Sequence, residues 1–336
     1  MKESETQLSI IILNYNNKGV LGHCLDSLAG TLTENTEVVV VDNASSDDSC
    51  GFVKQSYPWV RLIQNNSNHG YSRGNNIGAT EAKGSILVFL NNDVIAFKPN
   101  WLSTIVRLFS EDSRMGIAGP LLLQSDRIHI DSAGGSITYP LGLAPPNKQG
   151  SKLDPGALGS IKVAYVSGAA LIVSKDLFER LHGFDPSYFA FHEEVDLCWR
   201  ARAIGYKVVC AQSSQLIHLG SATYGSYSPL KEYLKERNRL ITNMKNYGRK
   251  ALASWLINEM AFGATLAMAA AISKKARRTF PSYVLALLSF IRRFGNTLEA
   301  RKVAQSYKTI NEQEILALHQ KESIADTMIS AFRRGL

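Results

Sequence analysis

Three runs of branched apolar residues constrain the fold most, because each stops at the same kind of chemistry. Ser9 to Asn14 reads SIIILN, Glu37 to Asp42 reads EVVVVD, and Ser85 to Leu90 reads SILVFL before Asn91, Asn92 and Asp93. A run without polar alternation suits a strand covered on both faces, as in parallel sheets joined by crossover helices. Between the first two, Gly19 to Gly30 sets Val20, Leu21, Cys24, Leu25 and Leu28 on one helical face, completing a right-handed β-α-β unit. A weaker strand at Val60 to Gln64 and a helix over Tyr71 to Ala82 precede the third run. The alternation predicts an α/β sheet. Ligands of open parallel sheets gather beyond the carboxyl ends of the strands, so Asn14, Asp42 and Asp93 are expected on one rim.

From Gln124 to Ser160 the chain turns Gly/Pro-rich (GGSITYPLGLAPPNKQG), a long irregular excursion of a kind that is functional or mobile when it interrupts a domain, and a candidate for shaping an acceptor site. Regular patterns return at Val163 to Val173, a helix at Lys175 to Leu181, an acidic helix at Phe191 to Ala203 and a strand at Lys207 to Ala211, with His218 beyond its end. After about Gly220 come a basic helix, Leu230 to Tyr247, and an Ala-rich apolar stretch, Ala251 to Ile272, holding Asn258 and Glu259. A second apolar run, Tyr283 to Ile291, lies among Lys274, Lys275, Arg277, Arg278, Arg292 and Arg293. Ala251 to Ile272 has the roughly 20 residues a membrane span needs. Three readings stay open: a span, a soluble helix packed on the catalytic domain, or a helix lying in the interface with the basic pairs on anionic head groups.

The 37 basic residues outnumber 29 acidic ones, a net charge of +8 that favours an anionic partner. No zinc spacing, RNA-binding aromatic signature or DNA-binding helix pair accompanies the charge, so no nucleic acid is expected. Cys24, Cys50, Cys198 and Cys210 are dispersed within apolar patterns, which suits a reducing, cytoplasmic setting. The amino-terminal apolar run, Leu8 to Leu13, is too short for a signal-peptide core.

Asp93, after a buried strand and two amides, suits a hard divalent cation that also binds a diphosphate, although Asn-Asn-Asp is good turn chemistry as well. Asp42 is placed to accept from a nucleoside base or ribose, while Ser45 to Asp48 read as helix-capping residues. NHGYSRGNNIGA (Asn68 to Ala79) is a Gly-spaced turn entering a helix, whose free N–H groups and Arg73 would meet phosphate. Glu193 and Glu194 diverge by about 100° on a helix start, so one can serve as a general base and the other face the cation or backbone. Asp196 and Arg200 are spaced to pair on one helical face, and the whole acidic cluster also suits a first helical turn. His218 is an additional candidate ligand for the cation.

In this order, SIIILNYNN, VVVVDNASSDDS, NHGYSRGNNIGA, VFLNNDV, VSGAALIVSKDLFERLHGFDPSYFAFHEEVDLCWRARAIGYKV and IHLGSATYG resemble glycosyltransferase family 2, specifically its bacterial, rhamnosyltransferase-like non-processive branch. The resemblance covers roughly residues 8 to 225. It implies a GT-A type fold, a mostly parallel central sheet flanked by helices, over residues 1–225, with a nucleotide-sugar half to about 123 and an acceptor half from about 124. Residues 226–336 would form a carboxyl-terminal helical region. Asn14, Asp42, Arg73, Asn91 and Asn92 would then line the nucleotide-sugar site, and Asp93 with His218 would hold Mg²⁺ or Mn²⁺. Asn91 stands where many members carry an acid. Glu194 takes the place of the catalytic base, commonly Asp, with Glu193, Asp196 and Gly168 on the acceptor side.

The implied activity is an inverting transfer of one sugar from a nucleotide diphosphate, UDP- or dTDP-linked, to a hydroxyl of a glycan or lipid-linked acceptor at the inner face of the membrane. YLKERNRLI lacks the Trp of the processive Gln-x-x-Arg-Trp string. A nucleotide-sugar-binding scaffold at the membrane is the alternative. A sugar-nucleotide pyrophosphorylase would open on a Gly-rich loop that ILNYNNKG does not provide.

Overall fold

A computed structural model describes residues 7–154, 156, 159–220 and 228–321. The end of the string IHLGSATYG, from Ser221, and the last residues of the helical tail, from 322, lie outside them. The chain divides into two compact units: Met1–Gly135 with Pro146–Gly225, and Ser136–Pro145 with Ser226–Leu336.

The first unit begins with β1 (Leu8–Asn14), α1 (Lys18–Ala29), β2 (Thr36–Asp42), α2 (Ser49–Ser56), β3 (Val60–Gln64), α3 (Gly70–Glu81) and β4 (Ile86–Asn91). It continues through β5 (Val94–Ile95), α4 (Trp101–Glu111), β6 (Met115–Leu123) and β7 (Ile130–Ser132). β8 (Ile137–Tyr139) falls in the second unit. The first unit resumes with β9 (Ser160–Lys162), β10 (Ala170–Ser174), α5 (Lys175–Arg180), α6 (Glu193–Ala203) and β11 (Lys207–His218).

The strand order is β3-β2-β1-β4-β10-β6-β11-β5, with β7 on β6 and β9 on β11. β3, β2, β1, β4, β6 and β11 share one direction, and β10 runs against its neighbours. This is the mostly parallel sheet with flanking helices that the apolar runs predict. One face of the sheet carries Ile10, Ile12, Val38, Val40, Val88 and Leu90 into a core with Leu21, Cys24, Leu25 and Leu28 of α1 and Trp101 and Ile105 of α4. Burying each such aliphatic side chain is worth about 1.5–3 kcal/mol. On the other face α3 comes close enough that a Cβ on Gly78 would stand 2.5 Å from Ile11 Cγ2 and 2.9 Å from Val41 Cγ2. Beside it Phe89, Phe178 and Phe184 stack edge to face or tilted, with centroids 4.9–5.3 Å apart.

β11 runs on past Ala211 to His218, because its pairing with β6 shifts register between Ala211 and Gln215 and then continues. His218 is therefore the last residue of a strand rather than a residue beyond one. α6 starts at Glu193, two residues later than the pattern predicts, because Phe191 and His192 have left-handed backbones.

The second unit adds α7 (Pro229–Asn246), α8 (Arg249–Ile272), α9 (Lys274–Arg292), α10 (Phe294–Ser306), α11 (Glu312–Leu316) and β12 (His319–Lys321). β12 pairs with β8 in parallel, His319 opposite Ile137. Its core gathers Leu141, Phe262, Leu266, Ala269, Ala276 and Tyr283. Beside it Arg239 is fully buried between Glu236 and Glu259, at 2.9 and 2.7 Å.

Candidate active site

β1, β2 and β4 end level with one another, since Asn14 lies opposite Asp42 and Leu13 opposite Asn91. Asn14 is buried at their junction. Its amide nitrogen donates to Asp42 Oδ2 at 3.1 Å and Ser45 Oγ at 3.3 Å, and its Oδ1 accepts from Asn92 Nδ2 at 2.8 Å. Asp42 Oδ1 also accepts the Ser45 N–H at 2.8 Å. These bonds fix the direction of a carboxylate that is itself buried. The half-buried Cys50 thiol beside it is held protonated by burial and by the Asp42 charge.

Asp93 follows β4 in the turn that leads to β5. β5 pairs with the end of β11, His218 opposite Val94, and the Leu219 N–H donates to the Asp93 carbonyl at 2.9 Å. That pairing sets His218 Nε2 at 3.4 Å from Asp93 Oδ1. The separation is an ion-pair distance rather than a formed hydrogen bond, and Asp93 Oδ1 is a buried oxygen with no hydrogen-bond partner. On the other ring nitrogen, His218 Nδ1 lies 2.8 Å from Asp131 Oδ2 of β7. Burial alone would lower the imidazole pKa. The bond to Asp131 and the nearness of both carboxylates outweigh it and raise the pKa to about 10.

His218 therefore carries a proton at Nε2, which a cation bound between it and Asp93 would have to displace. An orphan carboxylate oxygen facing an imidazole nitrogen fits a divalent cation, and the carboxylate on the far nitrogen is the usual support of a metal-binding imidazole. Among the described residues no cage of three or more His, Cys, Asp or Glu side chains is present. Two protein ligands suffice for a cation that takes its other oxygens from water and a diphosphate.

The second acidic centre is built on strain. Phe189, Phe191 and His192, all non-glycine, have φ of 66°, 71° and 69°, and backbones of this kind cost about 1–3 kcal/mol each. The segment is anchored by the Phe189 carbonyl, which accepts the N–H groups of Tyr71 at 2.5 Å and Ser72 at 3.4 Å. Gly70, at φ 73°, makes the approach possible, since a Cβ there would lie 2.4 Å from that carbonyl oxygen.

Beyond the strained turn, Glu193 is buried and Glu194 half-buried. Burial and the neighbouring Glu194 charge hold Glu193 well above the usual carboxylate range, so Glu193 keeps its proton where an ordinary carboxyl loses it. The Tyr71 hydroxyl, held un-ionised by burial and by both glutamates, donates to the Gly168 carbonyl at 2.6 Å. Gly168 itself packs on Glu194, whose Cβ and Cδ would lie 3.7 Å from an added Cβ. The next carbonyl, Ala169, accepts the Asn91 N–H at 2.9 Å. The Gly168–Ala169 step thus joins the rim at Asn91 to Glu194.

Two expectations are corrected. Asp196 does not face an acceptor: it is fully buried and pairs with Arg200 Nε at 2.8 Å, and Arg200 also donates to the carbonyls of Leu181 and Gly183. The first amides of α3 do not await an anion either. Gly70 donates to Asn68 Oδ1 at 2.9 Å, and Tyr71 and Ser72 donate to Phe189. Arg73 is exposed on the first turn of that helix. Asp131 and Tyr71 are the residues that sequence reasoning passed over. Asp131 lies in an irregular stretch without periodicity, and only its contact with His218 marks it out.

A family model, Glycosyl transferase family 2, matches residues 9–157. The chain is 26% identical over 278 residues to the low-salt glycan biosynthesis hexosyltransferase Agl10 of Haloferax volcanii, covering 76% of this chain and 85% of that one. It is 26% identical over 234 residues to the N-acetylglucosaminyl-diphospho-decaprenol L-rhamnosyltransferase of Mycobacterium tuberculosis, covering 63% and 75%. Against the protein y4gI of Sinorhizobium fredii it is 29% identical over 237 residues, 66% of this chain, and spans 25% of that protein's length. The crystal structure of GalNAc-T7 with UDP, GalNAc and Mn²⁺ superimposes with a TM-score of 0.61 at 16% identity, over 88% of this chain and 58% of the other, a likeness of fold. Over residues 9–157 the chain is thus similar to glycosyltransferase family 2, and its relatives include a hexosyltransferase and an L-rhamnosyltransferase.

Proposed function

We propose that the chain transfers one sugar, with inversion, from a nucleotide-diphosphate donor to a hydroxyl of a glycan or lipid-linked acceptor, with a divalent cation, Mg²⁺ or Mn²⁺, as cofactor. A UDP- or dTDP-linked hexose or rhamnose donor is in keeping with the hexosyl and rhamnosyl relatives, and a lipid-linked acceptor implies work at the cytoplasmic face of a membrane. The observation that carries the reading is the Gly168–Ala169 step, which holds the half-buried Glu194 beside the strand-end rim.

Asp42, aimed by Asn14 and Ser45, accepts from the nucleoside, with Asn91 and Asn92 at the same rim. Asp93 and His218 hold the cation, Asp131 orients the imidazole, and exposed Arg73 meets phosphate as a side chain without the helix amides. When bound, the cation neutralises charge on the diphosphate. Glu194 takes the proton of the acceptor hydroxyl as that oxygen bonds to the anomeric carbon. The bond from that carbon to the diphosphate oxygen breaks on the opposite side, so a single displacement inverts the centre and releases the nucleoside diphosphate. Glu193, protonated and buried, is a poor base in the same position. Tyr71 holds the Gly168 carbonyl and so keeps the floor beneath Glu194 in place.

The test is Glu194→Gln, which preserves shape but removes basicity. Turnover of the nucleotide sugar should fall by about 10²–10⁴ with donor affinity little changed. Unchanged turnover, or an equal loss in donor affinity, would refute the assignment.

A further inference from the structure

The surface of α8 has a composition that water does not favour. Between Lys250 and Lys274 the sequence holds one charged residue, Glu259, and that residue is turned inward. Its carboxylate takes both Arg239 NH groups at 2.7 Å, the Trp255 indole N–H at 3.2 Å and the Tyr283 hydroxyl at 3.1 Å. The outward face is left with Ile257, Met260, Met268 and Ile272, at 70, 78, 65 and 89% exposure, separated by alanines. An exposed helix face is ordinarily charged, and a continuous apolar one marks an interaction surface. Leu285, Leu288 and Ile291 of the adjoining α9 are exposed as well.

We propose that this face of α8, with the neighbouring apolar side chains of α9, docks on an anionic lipid bilayer and lies in its interface. Charge complementarity decides the partner. The apolar face is closed at one end by Arg249 and Lys250 and at the other by Lys274, Arg277 and Arg278, all exposed. Arg277 is fixed there by bonds from its guanidinium to the carbonyls of Ala270 and Ala271, at 3.1 and 2.9 Å. A second copy laid on the face, parallel or antiparallel, would bring basic end against basic end, whereas anionic head groups satisfy both ends at once.

The docked helix lies in the plane rather than spanning. Trp255, Glu259, Phe262 and Leu266 are committed to the interior of their own unit, so α8 has one side for lipid, not a full circumference. The proposal extends the membrane-facing part of the proposed function, and its test reads lipid binding without any sugar substrate, so either can fail alone.

The test is flotation of the full chain with vesicles of phosphatidylcholine, with and without phosphatidylglycerol. The chain should float with the anionic vesicles and lose them as salt is raised. Ile257→Glu with Met260→Glu and Met268→Glu should cut the vesicle partition coefficient about a hundredfold, with circular dichroism unchanged because none of the three is buried. Each single change should lower it in part, which keeps the test open if the triple variant folds poorly. Lys274→Glu with Arg292→Glu should abolish the preference for anionic lipid. The proposal fails if the parent ignores both vesicle types or if the glutamate variants float as it does. It fails too if light scattering finds a dimer that these changes dissociate, which would give the face to a second copy.

Discussion

At Asp131 one carboxylate fixes the orientation of an imidazole 87 positions away in sequence, through a 2.8 Å bond to His218 Nδ1 that leaves Nε2 facing Asp93. On the proposed reading its removal loosens the cation without touching it. Asp131→Ala should weaken Mn²⁺ by about 10–100-fold in the presence of nucleoside diphosphate, read from the free Mn²⁺ resonance signal. Asp93→Ala serves as the reference for full loss, and an Asp131→Ala affinity equal to that of the parent would deny Asp131 the role. The rim residues Asn14, Asp42 and Asp93 were legible because strand ends in a parallel sheet collect ligands. Asp131 was not, since nothing local distinguishes it from any loop aspartate. Asp196 was legible only as a choice, and the burial of its pair with Arg200 decides for structure over acceptor contact.

Among the elements, α3 is set by how near its backbone comes to the sheet. A Cβ on Gly78 would overlap Ile11 and Val41, and one on Gly74 would stand 2.4 Å from Leu13 Cδ1. Two effects oppose each other in Gly78→Ala. Helix propensity gains about 1 kcal/mol, while overpacking a tight core contact costs about 1–3 kcal/mol. Packing should win, so urea denaturation should find the variant less stable, with its helix content retained; a more stable variant would mean the sheet yields. The glycine spacing of GYSRGNNIGA was read from sequence as an approach for phosphate. Glycines permit close approach of a ligand and of a strand alike, and only the structure separates the two. The crossover helices and apolar strands were legible from periodicity, whereas the length of β11 was hidden by its polar stretch Gln212 to Gln215, where the pairing shifts register.

For the molecule as a whole, Glu193 ties stability to pH. The folded chain keeps its proton above the ordinary carboxylate range because of burial and the Glu194 charge, while the unfolded chain releases it there. A raised carboxyl pKa therefore contributes a stability loss that begins as pH climbs past roughly 4–5 and grows until Glu193 itself ionises, at up to about 1.4 kcal/mol per pH unit. Glu193→Gln should remove that slope, so its advantage in Tm over the parent should be larger near pH 8 than near pH 5. An advantage independent of pH would mean Glu193 is charged in the folded state. The two-part division has a consequence of another kind, for synthesis. Ser136–Pro145 sits within the sequence of the first unit yet belongs to the second, where Leu141 packs with Phe262 and Leu266 and β8 pairs with β12. No local signal in the sequence announces this, since the partners lie more than a hundred residues downstream. On a ribosome adding about 5–20 residues per second, Leu141 emerges on the order of 10 s before Phe262. During that interval the apolar side chain of Leu141 has no cover, an interval in which a chaperone that binds short hydrophobic peptides would find its substrate.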